Sequence, residues 1–231
     1  MTNEKMLARL MEIVNALSPE DRETFTFAEK HPDDRWGLGA GCLLSNLCKD
    51  LRADIATETA KKSGKGAAFA AAKRICKAAF DNYNVTIHGA WTDEKGRQCV
   101  CDGYRFVRFV AAYDLPKLDE KFTPLDLEKC LASDMTQPLG LPDLSEVKAA
   151  LKVWKAEHPK KRGVTNTPGT YDFGDGLPMV NAQYLIDAME ALPGAEAYIS
   201  ASRGEKSGIY FKSEAGDGLL LPVNKMKTVA A

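Results

Sequence analysis

The side chains that most often carry out catalysis are few in this sequence and are not spaced for it. The three histidines, His31, His88 and His158, have no second ligand at the i, i+4 spacing used by helical metal sites. The six cysteines include no C-x-x-C pair, so buried apolar positions explain them better than a zinc site. They are Cys42, Cys48, Cys76, Cys99, Cys101 and Cys130. The sequence therefore predicts neither an enzyme nor a bound metal or other cofactor.

Two glycine-containing stretches resemble phosphate-binding loops only in part. Residues 37–41 read Gly-Leu-Gly-Ala-Gly, but the residues at 31–34 form a poor strand, and a dinucleotide-binding loop requires a strand there. Residues 64–66 read Gly-Lys-Gly and lack both the upstream glycine and the following Ser or Thr of a P-loop. We interpret the first stretch as a helix cap or a turn and the second as part of a flexible break between segments.

Clusters of lysine and arginine are the remaining residues whose types point to a ligand. One cluster contains Lys61, Lys62, Lys65, Lys73, Arg74 and Lys77. A second contains Lys148, Lys152, Lys155, Lys160, Lys161 and Arg162. Such groups either neutralise DNA phosphates without reading base sequence or form solvated helix faces. Because 31 basic and 32 acidic residues leave a net charge of −1, any contact with DNA must come from local patches.

Size and composition are those of a globular protein with one large domain or two small ones. The chain has 231 residues, of which 45% are hydrophobic and 27% are charged. No apolar run approaches the roughly 20 residues that span a bilayer. The N-terminal residues lack the apolar core of a signal peptide, so we expect a cytoplasmic protein with reduced thiols and no membrane contact.

Helical periodicity organises the first part of the chain. Apolar residues recur at helical spacing over 4–17 and again over 43–59, and Ser18-Pro19 begins a short helix between them. The basic, glycine-containing stretch at 61–66 marks a boundary. Residues 1–66 are therefore predicted to form a helical N-terminal segment.

The rest of the chain repeats one order of elements. The first repeat has a helix at 67–80 and strands at 85–88, 98–102 and 105–111; the second has a helix at 181–192 and strands near 197–201, 208–212 and 219–223. Two such units can pair their sheets edge to edge and place both helices on one face. This predicts one α+β domain over 67–225, with a helical insertion at about 114–170.

Two stretches of this domain resemble the bacterial β sliding clamp family, the beta subunit of DNA polymerase III. Residues 100–106, Val-Cys-Asp-Gly-Tyr-Arg-Phe, look like that family's Ala-Thr-Asp-Gly-His-Arg-Leu strand. The helix that starts Asn181-x-x-Tyr184-Leu185 and the final Leu221-Pro222 strand resemble the end of the family's chain. The likeness covers about 67–111 and 177–225. It implies a DNA-clamp fold built from two helix-plus-three-strand repeats, and a non-enzymatic processivity factor of DNA replication.

The resemblance also implies a binding site. In the clamp family the matching strands form a hydrophobic cleft that receives short peptides from DNA polymerase and other replication proteins. Carried over by motif position, the cleft residues are Gly103, Tyr104, Arg105, Phe106, Leu219, Leu221 and Pro222. For Phe106, Leu219 and Leu221, plain sheet core is the alternative interpretation.

Clamp helices face duplex DNA, and this implies sequence-independent DNA binding here. Lys73, Arg74 and Lys77 suit that role, backed by the lysines at 61–65, whereas Asp187 and Glu190 on the second helix oppose it. With one such domain per chain, a ring would require about six copies as a homo-oligomer. The alternative is a protein-interaction module that uses the clamp fold without binding DNA.

Overall fold

The computed structural model describes residues 2–30, 39–81, 89–118, 123–131, 133–159 and 168–223. Within it the chain separates into two units, Met1–Gly66 and Ala67–Ala231. Some predicted features lie outside the described residues: the strand at 85–88, His31, His88, residues 37–38 of the glycine-rich stretch, the side chain of Lys77, and residues 160–162. No helix in the described ranges is long and apolar enough to cross a membrane.

Three helices form the N-terminal unit: α1 (Asn3–Asn15), α2 (Pro19–Lys30) and α3 (Ala40–Lys62). The Thr2 hydroxyl caps α1 by accepting a hydrogen bond from the Lys5 amide, and proline at the start of α2 favours a first helical turn. Their apolar faces meet in a core of Leu10, Val14, Phe25, Cys48 and Leu51. The predicted helices are present, and α3 extends beyond 43–59 at both ends.

The C-terminal unit combines helices with short strands. Its helices are α4 (Gly66–Asp81), α5 (Leu127–Cys130), α6 (Leu144–Glu157) and α7 (Ala182–Ala191). Its strands are β1 (Ala90–Thr92), β2 (Gln98–Cys101), β3 (Arg105–Phe109), β4 (Met135–Leu139), β5 (Thr170–Asp172), β6 (Met179–Asn181), β7 (Glu196–Ser200), β8 (Ile209–Ser213) and β9 (Gly216–Leu220).

Seven strands form one antiparallel sheet in the order β1-β2-β3-β9-β8-β7-β4. The two repeats, α4 with β1–β3 and α7 with β7–β9, meet at its centre, where β3 pairs with β9. In this register Phe106 lies opposite Leu219 and Arg108 opposite Asp217. Strand β1 was not predicted at 90–92. The predicted α+β class and the order of a helix followed by three strands, used twice, are confirmed.

Both helices lie on the same face of the sheet. Arg105 and Phe109 point to one side of β3 because side chains alternate along a strand. Arg105 pairs with Asp187 of α7. Phe109 packs edge-on against Tyr113 with ring centroids 5.0 Å apart, and the Tyr113 ring contacts Phe69 of α4 at 5.7 Å. The predicted placement of the helices is therefore confirmed.

The opposite face of the sheet carries a second, smaller core. It consists of Cys99, Cys101, Phe106 and Leu219 from the sheet and Leu127 from α5. Trp91 of β1 adds an edge-on ring contact with Phe106, with centroids 5.6 Å apart. The junction between the two repeats is thus covered on both faces.

Strand β4 comes from the segment predicted to be a helical insertion. No strand was predicted within 114–170, yet Met135–Leu139 extends the sheet by pairing with β7. Only Leu139 of this strand is buried, so the sequence lacks the alternation of apolar residues that identifies a strand. Helix α6 does form near 145–158, with Val147 and Leu151 inward as predicted. The segment therefore contributes both a sheet edge and a helix.

Candidate functional site

The two stretches predicted to form a cleft lie side by side at one end of the sheet junction. Strand β3 begins at Arg105 and β9 ends at Leu220, and these two residues are paired. The contact continues one step further, because the Leu221 amide donates a hydrogen bond of 2.9 Å to the Tyr104 carbonyl. The fold thus brings together residues that are more than a hundred positions apart in the chain.

A pocket of about 70 Å³ opens beside the end of β9. It is lined by Cys130, Met135, Arg203, Lys206, Ser207, Gly208, Leu219, Leu221 and Pro222. Leu219, Leu221 and Pro222 are among the predicted cleft residues. The volume suits several water molecules or one small apolar side chain. We call its apolar lining residues, Cys130, Met135, Leu219, Leu221 and Pro222, the floor, and its other four lining residues the rim. Such a combination of apolar and polar lining residues is usual in a site that anchors a ligand side chain.

The other lining residues were not found from the sequence because they come from separate segments. Cys130 ends α5, Met135 begins β4, and residues 203–208 belong to the loop between β7 and β8. A short 3-10 helix, Gly204–Lys206, lies in that loop. No local pattern connects these segments, and only the paired sheet brings them to one place.

Hydrogen bonds hold the β7–β8 loop in position. The Asp134 carboxylate accepts hydrogen bonds from the hydroxyls of Ser202 and Ser200, at 2.5 and 2.7 Å. These two bonds hold the pKa of Asp134 below its usual range. The Ser200 amide in turn donates to the buried Ser207 hydroxyl at 2.8 Å. The pocket wall formed by this loop is therefore fixed to the sheet at both of its ends.

Tyr104 is an exposed member of the predicted cleft, with 52% of its surface accessible. The Asp102 carboxylate accepts hydrogen bonds from the Tyr104 and Arg105 amides at 3.0 and 2.7 Å. Gly103 takes a φ of 85° in this turn, a backbone conformation that favours glycine. The Tyr104 ring lies 6.2 Å from that of Tyr184. Tyr104 is accessible to a ligand, while Gly103 shapes the turn.

Arg105 and Phe106 do not line the pocket, which corrects their assignment to the cleft surface. Alternation along β3 directs them to opposite faces of the sheet, and each is 3% exposed. Phe106 packs beneath Leu219 in the smaller core, as the alternative interpretation of plain sheet core describes. Arg105 points into the layer of helices.

The Arg105 guanidinium is the centre of a buried ion network. It bonds Asp102 at 2.6 and 2.8 Å and also pairs with Asp187 of α7. The ring of Tyr184 lies 4.0 Å from the guanidinium carbon, in cation–π contact. Asp102 and Asp187 are each 1% exposed. Arg105 thus neutralises two carboxylates in the interior and has no surface role.

Arg74 extends this network, although the sequence predicts it on the outer side of α4. Its Nε lies 2.7 Å from Asp187, and its guanidinium also pairs with Glu190. Lys148 of α6 reaches Glu190 as well, at 2.6 Å. Burial disfavours the charged Glu190, but hydrogen bonds from Lys148 and Arg74 outweigh it and hold the pKa of Glu190 below its usual range. Two carboxylates therefore balance the charge of Arg74, which corrects its assignment to DNA phosphates.

Helix α7 has no exposed residue along its whole length. Besides Asp187 and Glu190, its polar residue Gln183 is engaged, accepting from Lys155 of α6 and donating to Asp187, both at 3.1 Å. The β5–β6 hairpin and the sheet also contact it. Helix α7 is thus contacted by α6 and by the Arg74 side chain of α4.

Exposed basic residues remain elsewhere. Lys61, Lys62 and Lys65 are exposed in the N-terminal unit, at the end of α3 and just beyond it. Lys73 is exposed on α4, with its ammonium 5.5 Å from the centroid of the Phe69 ring. Each of these four side chains is therefore exposed on its own unit.

The thiols differ sharply in accessibility. Cys130 is exposed, whereas the other five cysteines are buried. Burial raises the pKa of Cys76, Cys99 and Cys101 to about 12. Across the described ranges, no group of three or more His, Cys, Asp or Glu side chains is placed to hold a metal ion.

No family model matches the sequence, and no curated protein matches it. Among solved structures, one similar protein is described as a DNA polymerase III beta subunit from Eubacterium rectale, with 16% sequence identity and a TM-score of 0.41. That match covers 68% of this chain and 64% of the other, so less than two thirds of the similar protein is represented.

Two structures of the Helicobacter pylori beta clamp are also similar. One is bound to a DNA ligase peptide, with 17% identity and a TM-score of 0.30, and the match covers 56% of this chain and 40% of that one. The other is in complex with 5-chloroisatin, with 15% identity and a TM-score of 0.29, covering 56% and 44%. Solved β clamp structures are thus among the structural matches of this chain.

Proposed function

We propose that this protein is a non-enzymatic interaction module with a clamp-like domain, which binds a short peptide segment of a DNA polymerase or another replication protein. The observation that carries the proposal is the pocket at the end of β9. Leu219, Leu221 and Pro222, chosen by their match to the clamp motif, line a concave site with an apolar floor. A site of this size is suited to one anchoring side chain of an extended peptide.

Exposed residues at the site support contact with a partner. Leu221 is 41% exposed, and Tyr104 beside it is 52% exposed. Aromatic and aliphatic side chains in such positions are common anchors of protein interfaces. The covered α7 and the internally paired Arg74 favour a peptide over DNA as the main ligand.

Selection from a displayed library of random peptides against the full chain tests the proposal. We expect the selected peptides to lose binding to Leu221→Glu, which places a carboxylate at the pocket. Val110→Glu is the matched control, since Val110 is an apolar residue, 65% exposed, that does not line the pocket. Circular dichroism verifies that both variants fold. Peptides that bind Leu221→Glu as well as the wild type would contradict the proposal.

Cys130 supplies a second, independent readout. It lines the pocket and is the exposed cysteine, so a maleimide should modify it well before the buried thiols. Burial and the nearby Asp126 raise the pKa of Cys130, so labelling is best performed at mildly alkaline pH. A selected peptide should slow the reaction at Cys130. An unchanged rate of labelling at Cys130 with saturating peptide would show that the peptide binds outside the pocket.

Sequence-independent binding of duplex DNA is the second candidate function, supported by the exposed lysines at 61, 62, 65 and 73. The affinity for a short duplex should then fall steeply as the salt concentration rises. This dependence should be steeper the more phosphates the lysines neutralise. Changing all four lysines to Glu should abolish binding, while Lys95, Lys117 and Lys212 changed to Glu form the exposed control. Arg74 is left intact because it supports the fold. Equal affinity of the two variants for the duplex would exclude these four lysines as the DNA contacts.

A further inference from the structure

We propose that the pocket at the end of β9 selects a peptide whose apolar anchor is flanked by carboxylates. This inference rests on the proposed function and assigns the chemistry of its ligand. It is carried by the two basic side chains, Arg203 and Lys206, that line one wall of the pocket.

These two cations have no carboxylate partner among the described residues. Both are exposed, and neither forms an ion pair with a carboxylate in the part of the chain that the structure describes. They differ in this from Arg105, Arg108 and Arg74, each of which pairs with at least two carboxylates. Glu205 lies between them in sequence but does not line the pocket. The rim therefore presents two cations beside the apolar floor, with no ion-pair partner for either of them in the described ranges.

The loop that carries the cations is fixed before any ligand binds. Asp134 holds Ser200 and Ser202 on one side of Arg203, and the Ser207 hydroxyl accepts from the Ser200 amide on the other. Ser200 and Ser207 are both fully buried. A rigid loop loses little conformational freedom on binding, so charge placed on it contributes more to specificity.

The floor and the rim together define the ligand. Leu219, Leu221 and Met135 accept an apolar side chain, and among the described residues no carboxylate lines the pocket to repel an acidic neighbour. An Asp or Glu one or two positions from the anchor can then approach Arg203 and Lys206. Arg203 can also accept a carboxylate in a two-pronged hydrogen bond. An acidic-flanked apolar peptide is complementary to both features.

A charge-reversal selection tests this directly. Random peptides are selected in parallel on the wild type and on Arg203→Glu/Lys206→Glu. We expect Asp and Glu to be enriched beside the apolar anchor on the wild type, and Lys and Arg on the variant. The control variant Lys95→Glu/Lys212→Glu makes the same charge change at exposed sites outside the pocket and should select like the wild type.

Two defined probes give the size of the effect. A fluorescent peptide Gly-Ser-Asp-Leu-Leu-Asp-Ser-Gly should bind about tenfold more tightly than its analogue with both Asp residues changed to Asn, at low salt. High salt and the Arg203→Glu/Lys206→Glu variant should each remove the difference. Equal binding of both probes to the wild type, or the same residue enrichment on wild type and reversed variant, overturns the charge proposal. Selected peptides that bind Leu221→Glu as tightly as the wild type would overturn the proposed function instead.

Discussion

Arg105 and Asp187 lie 82 positions apart in the chain and form an ion pair whose side chains are 3% and 1% exposed. The pair joins β3 of the first repeat to α7 of the second. Removing one partner of a buried ion pair leaves the other charge without a partner in the interior. The free energy of unfolding therefore falls strongly, even where the intact pair adds little to it. The two repeats are therefore held together by charge as well as by the sheet.

Arg105→Ala should lower the free energy of unfolding of the full chain by about 3–5 kcal/mol, measured by urea denaturation. Asp102 and Asp187 would both lose a buried partner. Arg97→Ala is the matched control, because Arg97 and its partner Asp93 have side chains that are 25% and 20% exposed. This variant should lose at most about 1 kcal/mol of unfolding free energy. Similar losses in the two variants would contradict this account.

Stability should decline in acid as Glu190 becomes protonated. The folded-state pKa of Glu190 is held below the usual 4.5, so the ionised carboxylate stabilises the fold above pH 4.5. That contribution disappears as the pH falls through the lowered pKa. Glu190→Gln keeps the size of the side chain and removes its titration, so its unfolding free energy should vary less between about pH 5 and 3. Urea titrations across that range measure this, and parallel profiles would show that Glu190 is not responsible.

Gly216→Ala should separate β9 from β3. Gly216 has a φ of 146°, and an added Cβ would lie 1.9 Å from the carbonyl oxygen of Arg108. We expect a loss of about 3 kcal/mol or more in unfolding free energy. Gly96→Ala is the control, with a φ of 76° and nothing within 4 Å, and should lose only about 1–2 kcal/mol. Thermal or urea unfolding distinguishes the two, and equal losses would count against a steric cause.

Assembly through the sheet edges is disfavoured. On β1, the Ala90 amide donates to Pro116 and its carbonyl accepts from Leu118, both at 2.8 Å. On β4, Pro138 has no amide hydrogen to offer another strand. We therefore expect light scattering to give a mass near 25.2 kDa. A mass near six times that value, stable on dilution, would support the ring that the clamp resemblance implies.

Local patterns were enough to predict α7 and the strands that follow it. The helix was predicted to start at Asn181, and this residue is its N-cap, with a side chain that accepts hydrogen bonds from the Gln183 and Tyr184 amides at 2.9 and 3.3 Å. The helix ends at Ala191, just before Pro193-Gly194. Caps, breakers and apolar periodicity act over a few residues, so the sequence shows them directly.

The features that were missed depend on pairing between distant residues. Asp187 and Glu190 resemble the solvated face of a helix, and nothing near them in sequence shows that Arg105 and Arg74 will neutralise them. Strand β4 is defined by its pairing with β7, because apolar and polar residues do not alternate along its own sequence. The pocket likewise combines the end of β9 with three separate segments, which contain Cys130, Met135 and residues 203–208. Each of these requires the folded sheet.

The position of β9 has a consequence during protein synthesis. It lies between β3 and β8 at the centre of the sheet, although it follows both in the chain, and its Asp217 is 109 positions beyond Arg108. At the usual rates of translation, β9 is synthesised roughly 5–20 s after β3, and the edge of β3 stays unpaired during that time. An unpaired edge is a template for wrong association, so nascent chains stalled before residue 216 should depend on chaperones. The strand that completes the pocket thus also closes the most vulnerable edge of the growing chain.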